Sequence, residues 1–275
     1  MSTGATSSHP KQVKVVSRTP AGISAAVLRT ILDPAIIFGF VVVFAFFAIV
    51  EWLVASGVIS RAVIALPSAA ITGLFSAEFS WQILSASQLT FTLVAVALIA
   101  EIVIAIPIGY FLYRKPIFGT AYEGWLASLF AAPIFLLYPL FMVIFGRNSF
   151  TLIFMGFAAG IFPIIIYARV AFMTVPQTLI NVGKSFHLTD SQIFWKIILP
   201  SGAPTIFAGI RLGLIYTMVN IIAIEFLVDA GGLGRMVSDR YFRFDIAGTY
   251  TAICAVALIS LLLTGIVGRL EKLVR

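Results

Sequence analysis

Three side chains sit where charge is costly: Glu101, Arg211 and Glu225 each fall inside a long apolar run. A charge in the hydrocarbon core costs roughly 2.5 to 3.5 kcal/mol on insertion scales, so each needs a partner or a task. Arg211 stands eleven residues after Pro200, and Glu101 twelve residues before Tyr113. At about 1.5 Å per residue, both lie roughly 16 to 18 Å from the inner ends of their helices, a shared depth that predicts a buried salt bridge. The competing task for Arg211 is to meet an anionic substrate. Glu225 lies near the outer end of its run, where a snorkelling or interface-bonded carboxylate is the plain expectation. Asp229 follows one turn later, and Gly231, Gly232 and Gly234 come next, suited to a tight outer loop or gate.

A second cluster lies in the polar stretch from Thr174 to Pro200, which is amphipathic and carries two helix-start signals. Thr174 with Gln177, and Thr189 with Gln192, have the spacing in which a hydroxyl and an amide satisfy each other's orphan backbone donors. Two short helices with a corner near His187, Leu188 and Thr189 are predicted. Ile193, Phe194, Ile197 and Ile198 recur at helical spacing in the second, and Pro200 is expected to end it. Such an elbow is a stiff knob between two apolar runs. Within it, Gly183-Lys184-Ser185 mimics the end of a phosphate-binding loop, but Thr178 stands where that motif needs its first glycine, and no strand precedes it. Nucleotide binding by this chain is therefore not expected.

Other chemistry finds little support. His9 and His187 are far apart in the sequence, so no metal cluster is expected, and the single Cys254 excludes an internal disulfide. No nucleophile, base and orienting group stand together, which removes the basis for an enzyme. The formal charge of +7 comes from residues at the ends of apolar runs and not from a basic stripe between aromatic platforms, so nucleic acid is not an expected partner.

The elements that must position these residues are membrane spans. The chain has 275 residues, 61% of them hydrophobic and only 11% charged, far from the composition of a soluble domain. Runs of the length that a bilayer core requires fall at about 35–58, 87–113, 122–146, 150–172, 203–228 and 246–267, predicting an all-α polytopic protein with about six transmembrane helices. The first run is too long for a signal-peptide core and is read as a retained span. Lys and Arg lie mostly on one side of this arrangement, eleven against five, which places both termini in the cytoplasm. Residues 1–33 read as a polar cytoplasmic tail. The connection 59–84 suits a helix lying in the outer interface with Trp81 as an anchor. Pro107, Pro133, Pro139 and Pro163 are expected to kink their spans.

The landmarks along this frame resemble the permease subunits of bacterial ABC importers, within them the nitrate, sulfonate, taurine and bicarbonate group. In the elbow, Asn181-Val182-Gly183 precedes Phe186-His187-Leu188-Thr189 and Ile198-Leu199-Pro200. Downstream stand Pro204, Gly209-Ile210-Arg211-Leu212-Gly213, Ala223-Ile224-Glu225 and Gly231-Gly232-Leu233-Gly234. Upstream stand Leu66-Pro67-Ser68, Ile106-Pro107-Ile108-Gly109, Pro133, Tyr138-Pro139-Leu140 and Phe145-Gly146. The departures are Asn181 at the family's glutamate, His187 at its glycine and Phe91 at an arginine often found early in the second span.

The resemblance implies a type I ABC importer permease fold. Its parts would be a first helix and outer segment over 34–85, a permease domain over 86–268 with the coupling elbow at 174–200, and a short cytoplasmic tail at 269–275. It implies that Asn181, Gly183, His187, Leu188, Thr189 and Asp190 form the surface that docks on a cytoplasmic ATPase. It also places Glu225 beside the translocation path. The partners implied are ATPase subunits that bind ATP and Mg, a second permease that is identical or different, an extracytoplasmic substrate-binding protein, and the lipid of the bacterial inner membrane. The basic, aromatic segment of Arg235, Arg240, Tyr241, Phe242 and Arg243 would receive the binding protein, or else form an interfacial belt. The competing readings are an ion-gradient-driven secondary carrier, weakened by the lack of matching broken-helix repeats, and a non-transporting scaffold.

Overall fold

Long apolar runs leave the backbone no partner but itself, and in the computed structural model, which describes residues 34–274, they are almost wholly helical. The elements are α1 (Pro34–Ala55), α2 (Pro67–Gly73), α3 (Ala77–Arg114), α4 (Pro116–Ala131), a 3-10 turn (Ile134–Leu137), α5 (Tyr138–Phe145), α6 (Ser149–Met173), α7 (Gln177–Ser185), α8 (Asp190–Ile193), a π-wound turn (Phe194–Ile198), α9 (Leu199–Val228), α10 (Gly232–Phe242) and α11 (Ile246–Val274). Among the described residues, five helices are long and apolar enough to cross a membrane, or six if the bent pair at 116–145 counts as one.

α6 is the axis of the bundle. It packs along α9 on one side and α3 on the other, and α10 and α11 both pack against α9. Its core positions include Leu152, Met155, Ile164, Ala168 and Phe172, all nearly or fully sealed from solvent. α1 is different. Most of its length is exposed, and Glu51 ties its far end to α2 by accepting from the Ser68 backbone N–H at 3.0 Å and the Ser68 hydroxyl at 2.6 Å.

Several boundaries differ from the sequence expectation, each for an identifiable reason. The run at 122–146 is not one kinked span: α4 and the 3-10 and α5 segment meet at 74°. Ala132 is forced to an extended conformation (φ −69°, ψ 133°) by the proline after it, so Pro133 breaks the helix instead of bending it. Pro139 lies in the first turn of α5, where a missing N–H costs nothing and no kink follows, whereas Pro107 and Pro163 do sit inside helices. α3 begins ten residues before the apolar run and carries the exposed Trp81, so the outer connection keeps only the short α2 as a helix of its own. At the other end α11 continues to Val274, so residues 269–274 are helix rather than a tail. The 1–33 tail lies outside the described residues.

Pro200 does not end the second elbow helix. It occupies the first turn of α9, and residues 190–228 form one unbroken helical path, α then π then α. Proline cannot supply an N–H to the carbonyl four residues earlier, and one turn of wider winding just before it absorbs that loss. The consequence is mechanical: the second elbow helix and α9 are a single rod of 39 residues.

Candidate functional site

The elbow is built from three local devices. Thr189 and Gln192 form the expected reciprocal cap: the Thr189 N–H donates to Gln192 Oε1 at 2.9 Å, and the Gln192 N–H donates to Thr189 Oγ1 at 3.3 Å. The other predicted box is absent. Thr174 instead ends α6 and donates its hydroxyl to the Ala171 carbonyl, while Gln177 donates to Asn181. Pro176 intervenes between them and starts α7 by its extended geometry. The corner itself is a Schellman turn, in which the Leu188 N–H donates to the Gly183 carbonyl (3.1 Å) and the His187 N–H to the Lys184 carbonyl (2.9 Å). His187 takes the left-handed conformation there (φ 54°). The family's glycine position is thus kept in shape by a histidine, at the steric cost that a Cβ brings. Thr189→Ala is expected to remove about 1 kcal/mol of local helix stability. The readout is faster amide exchange at residues 190–193 with exchange in α9 unchanged.

The elbow is also fastened to the bundle by contacts that the sequence reading did not single out. Arg114, at the end of α3, pairs with Asp190 at 2.8 Å. Behind this pair Tyr110, Phe172 and Phe194 stack into one aromatic cluster, with ring centroids 4.3 to 5.9 Å apart, so α3, α6 and the π-wound turn share one core. The signal was present as an Arg two residues before a proline and as aromatics near two helix ends, but nothing in the spacing paired them.

Of the six elbow residues singled out from sequence, Asn181, His187, Thr189 and Asp190 are exposed and Leu188 is half-buried. Gly183 is not on the surface. It is buried where α7 crosses the second elbow helix, and a Cβ there would lie 2.6 Å from Ile197 Cδ1 and 3.3 Å from Ile193 Cγ1. The open face instead carries Val182, Phe186 and Trp195, three large apolar side chains that spacing did not mark. Lys184 and Ser185 lie within α7, whose backbone N–H groups serve the helix. No phosphate cradle exists at that position.

The outer turn is the second cluster. Glu225 is fully buried, which replaces the expectation of a snorkelling side chain. Its oxygens accept from the Thr90 hydroxyl (2.8 and 2.9 Å) and from the Gly234 N–H (2.9 Å), while the Leu233 N–H donates to Thr90 Oγ1 (2.9 Å). One carboxyl therefore staples α3, α9 and the start of α10 together. Gly231 and Gly232 turn the chain at φ 93° and 78°, angles closed to side chains, and Gly232 lies so close to the Glu225 carboxyl that a Cβ would collide with it. Gly234 has ordinary angles and is needed for close approach to α9.

Asp229 adopts φ 53° and pairs with Arg235 at 2.6 Å. The predicted basic loop is helix α10. Arg240 is held in it by Asp245 (3.0 Å) and Gln82 (2.8 Å) and lies over the Phe79 ring. Asp245 also accepts the Gly248 N–H at 2.9 Å; that bond, with Arg240 beside it, holds its carboxyl below the usual range. Between α3 and α10 lies a polar cavity of about 480 Å³ lined by Gln82, Ser85, Arg235, Asp239, Arg240 and Arg243.

Glu101 and Arg211 do not pair. Arg211 is half-exposed and turns to Glu271 on α11 at 3.6 Å. Glu101 is fully buried against Gly160 of α6 and Thr217 of α9. The shared depth does not hold: Glu101 meets α9 at Thr217, six residues or roughly 9 Å beyond Arg211, because the helix does not begin at Pro200 but runs unbroken from Asp190. Among the described residues no group of His, Cys, Asp and Glu could hold a metal ion.

Comparison with known proteins agrees with this architecture. Over 183 residues the chain is 30% identical to the nitrate import permease protein NrtB of Synechocystis sp., covering 66% of each chain. It is 31% identical over 137 residues to the bicarbonate transport system permease protein CmpB of the same organism, half of this chain and 49% of that one. It is 30% identical over 199 residues to the glycine betaine/proline betaine permease ProW of Escherichia coli, covering 72% of this chain and 54% of that one. The matches thus span about two thirds or less of these relatives' length. The fold superposes on a chain of the MetNI methionine ABC transporter, crystallised in inward facing conformations, with a TM-score of 0.62 at 21% identity, covering 73% of this chain and all of that one. The family model described as the inner membrane component of binding-protein-dependent transport systems matches residues 101–275, from Glu101 through the elbow to the end of α11, and the chain belongs to that family.

Proposed function

We propose that this chain is the permease subunit of an ATP-binding-cassette importer, forming the path for a small solute delivered by an extracytoplasmic binding protein. The observation that carries this reading is the elbow: a capped, ion-paired knob with an exposed apolar face, continuous with a helix that runs the length of the bundle. A rod of that kind transmits a push at one end as displacement at the other, where a loose loop would absorb it. Val182, Phe186 and Trp195, with His187 and Asp190 beside them, are the surface offered to an ATPase. ATP and Mg belong to that partner, and a second permease, identical or different, completes the path. The relatives named for nitrate and bicarbonate import favour an oxyanion. Half-exposed Arg211, loosely paired at 3.6 Å, is the cation available to one. On the outer side, the cavity beside α10, where Arg235, Arg240 and Arg243 stand against Asp239 and Asp245, is where a binding protein would dock. The distribution of Lys and Arg supports a reading with both termini in the cytoplasm.

Reconstitution separates this from the carrier reading. Proteoliposomes holding the chain with its ATPase and binding protein are expected to accumulate solute only with ATP, and liposomes holding the chain alone are expected to accumulate none under any ion gradient. Gradient-driven uptake by the chain alone would overturn the proposal.

A further inference from the structure

The site at the centre of the bundle has no assigned task. Glu101 is fully buried between α3, α6 and α9, and Gly160 is the residue of α6 that makes room for it: a methyl there would collide with both carboxyl oxygens and with the Thr217 hydroxyl. None of the ion pairs among the described residues includes Glu101, and Arg211, on the same helix as Thr217, points to Glu271. The groups facing it are Gly160 from α6 and Thr217 from α9, neither of them charged.

The hydrogens at this site can be counted. Thr217 Oγ1 lies 2.6 Å from Glu101 Oε1 and 2.9 Å from the carbonyl oxygen of Gly213. A hydroxyl has one hydrogen, and a carbonyl has none. If Thr217 donates to Gly213, one turn back on its own helix, then the short contact with Glu101 needs a hydrogen from the carboxyl. The other carboxyl oxygen, Oε2, has no hydrogen-bond partner among the described residues. A carboxylate in that position would carry a full charge with one buried oxygen bare, an arrangement proteins avoid by keeping the proton. A neutral acid leaves only a carbonyl oxygen bare.

We infer that Glu101 is held as a neutral carboxylic acid whose hydrogen is donated to Thr217, and that this relay, Glu101 to Thr217 to the Gly213 carbonyl, ties α3 to α9. Glu101 is then a positioning residue. The second elbow helix is continuous with α9, and α3 is fastened to it at Asp190 by Arg114, so the central relay gives α3 and α9 a third fixed point, between that pair and the Thr90–Glu225 contact. Movement of the elbow carries both helices as one body. A neutral donor does this without a cation in the core, and the sequence holds none at that place to spare. The inference deepens the transport reading, but its test does not depend on transport.

The test is infrared difference spectroscopy of the purified chain in lipid nanodiscs, wild type minus Glu101→Gln. A protonated carboxyl C=O band assigned to Glu101 is expected at neutral pH, where an ordinary glutamate is a carboxylate. Thr217→Val, which removes the acceptor, is expected to shift that band to higher frequency. A carboxylate band in its place at neutral pH overturns the protonation, and an unshifted band in Thr217→Val overturns the relay. Thermal unfolding supplies the structural arm. Gln at 101 keeps a donor and is expected to unfold near wild type, Glu101→Ala and Thr217→Val are each expected to unfold earlier, and the double variant no earlier than the worse single. Additive losses would show that the two side chains do not act together. If the alanine variant fails to fold, the glutamine and valine variants still decide through the band.

Discussion

Gly183→Val is expected to lower ATP-driven uptake by about tenfold or more, a loss of about 1.4 kcal/mol of effective coupling, while the protein still inserts and accumulates in the membrane. The reason is steric. Gly183 lies at the crossing of the two elbow helices, and even one added carbon would meet Ile197 at 2.6 Å. Valine brings three carbons to a place with room for none, and forcing them in costs typically 1 to 3 kcal/mol through displaced neighbours. The displacement here moves α7 relative to the rod of 190–228 and so changes the angle at which Phe186 and Trp195 meet a partner. The bundle core around Leu152, Met155 and Ile221 is remote from the change and should hold. The check is to measure uptake, ATPase stimulation and membrane level together. Retained level with both activities lost supports a coupling role, and full activity would show that the elbow's internal angle is irrelevant.

Glu225→Ala is expected to cause the larger loss of stability. It leaves the Gly234 N–H and the Thr90 hydroxyl buried without their acceptor, and each such orphan costs about 1 to 3 kcal/mol. A total of roughly 2 to 6 kcal/mol follows, before the cavity is counted. Glutamine retains one acceptor oxygen but turns its amide hydrogens toward one of the two donors, so Glu225→Gln should fall between wild type and alanine. Thermal unfolding in detergent ranks the three. The outer turn should loosen first, visible as faster amide exchange at residues 231–236 in the glutamine variant. If alanine unfolds at the wild-type temperature, the carboxyl is not the staple of that turn.

These two residues also show how a reading by type and position can find the right place and assign the wrong contact. Gly183 was singled out as surface because it lies in the elbow, but a helix pair can approach closely only over a small residue, and that puts the glycine inside. A place near a helix end suggests a snorkelling or interface-bonded carboxylate for Glu225, and its burial excludes the first. The backbone N–H groups at the start of α10 and the Thr90 hydroxyl made full burial cheaper than reaching for water.

What the sequence alone determined is one-dimensional. Hydrophobic run lengths fixed the all-helical membrane architecture, because a bilayer core admits little else. Local spacing fixed the Thr189 cap, and the order of weak landmarks fixed the family. The tertiary structure decided every pairing across helices: Arg211 with Glu271 instead of Glu101, Arg114 with Asp190, Glu225 with Thr90 and the outer turn. It also decided that Pro133 breaks a span while Pro200 sits within a continuous rod. The physical reason is that rise per residue gives a position along one helix, and says nothing about the offset or the azimuth of that helix against its neighbours. Each helical residue turns its side chain by about 100°, so two charges at one level meet only if packing has rotated both helices to face each other.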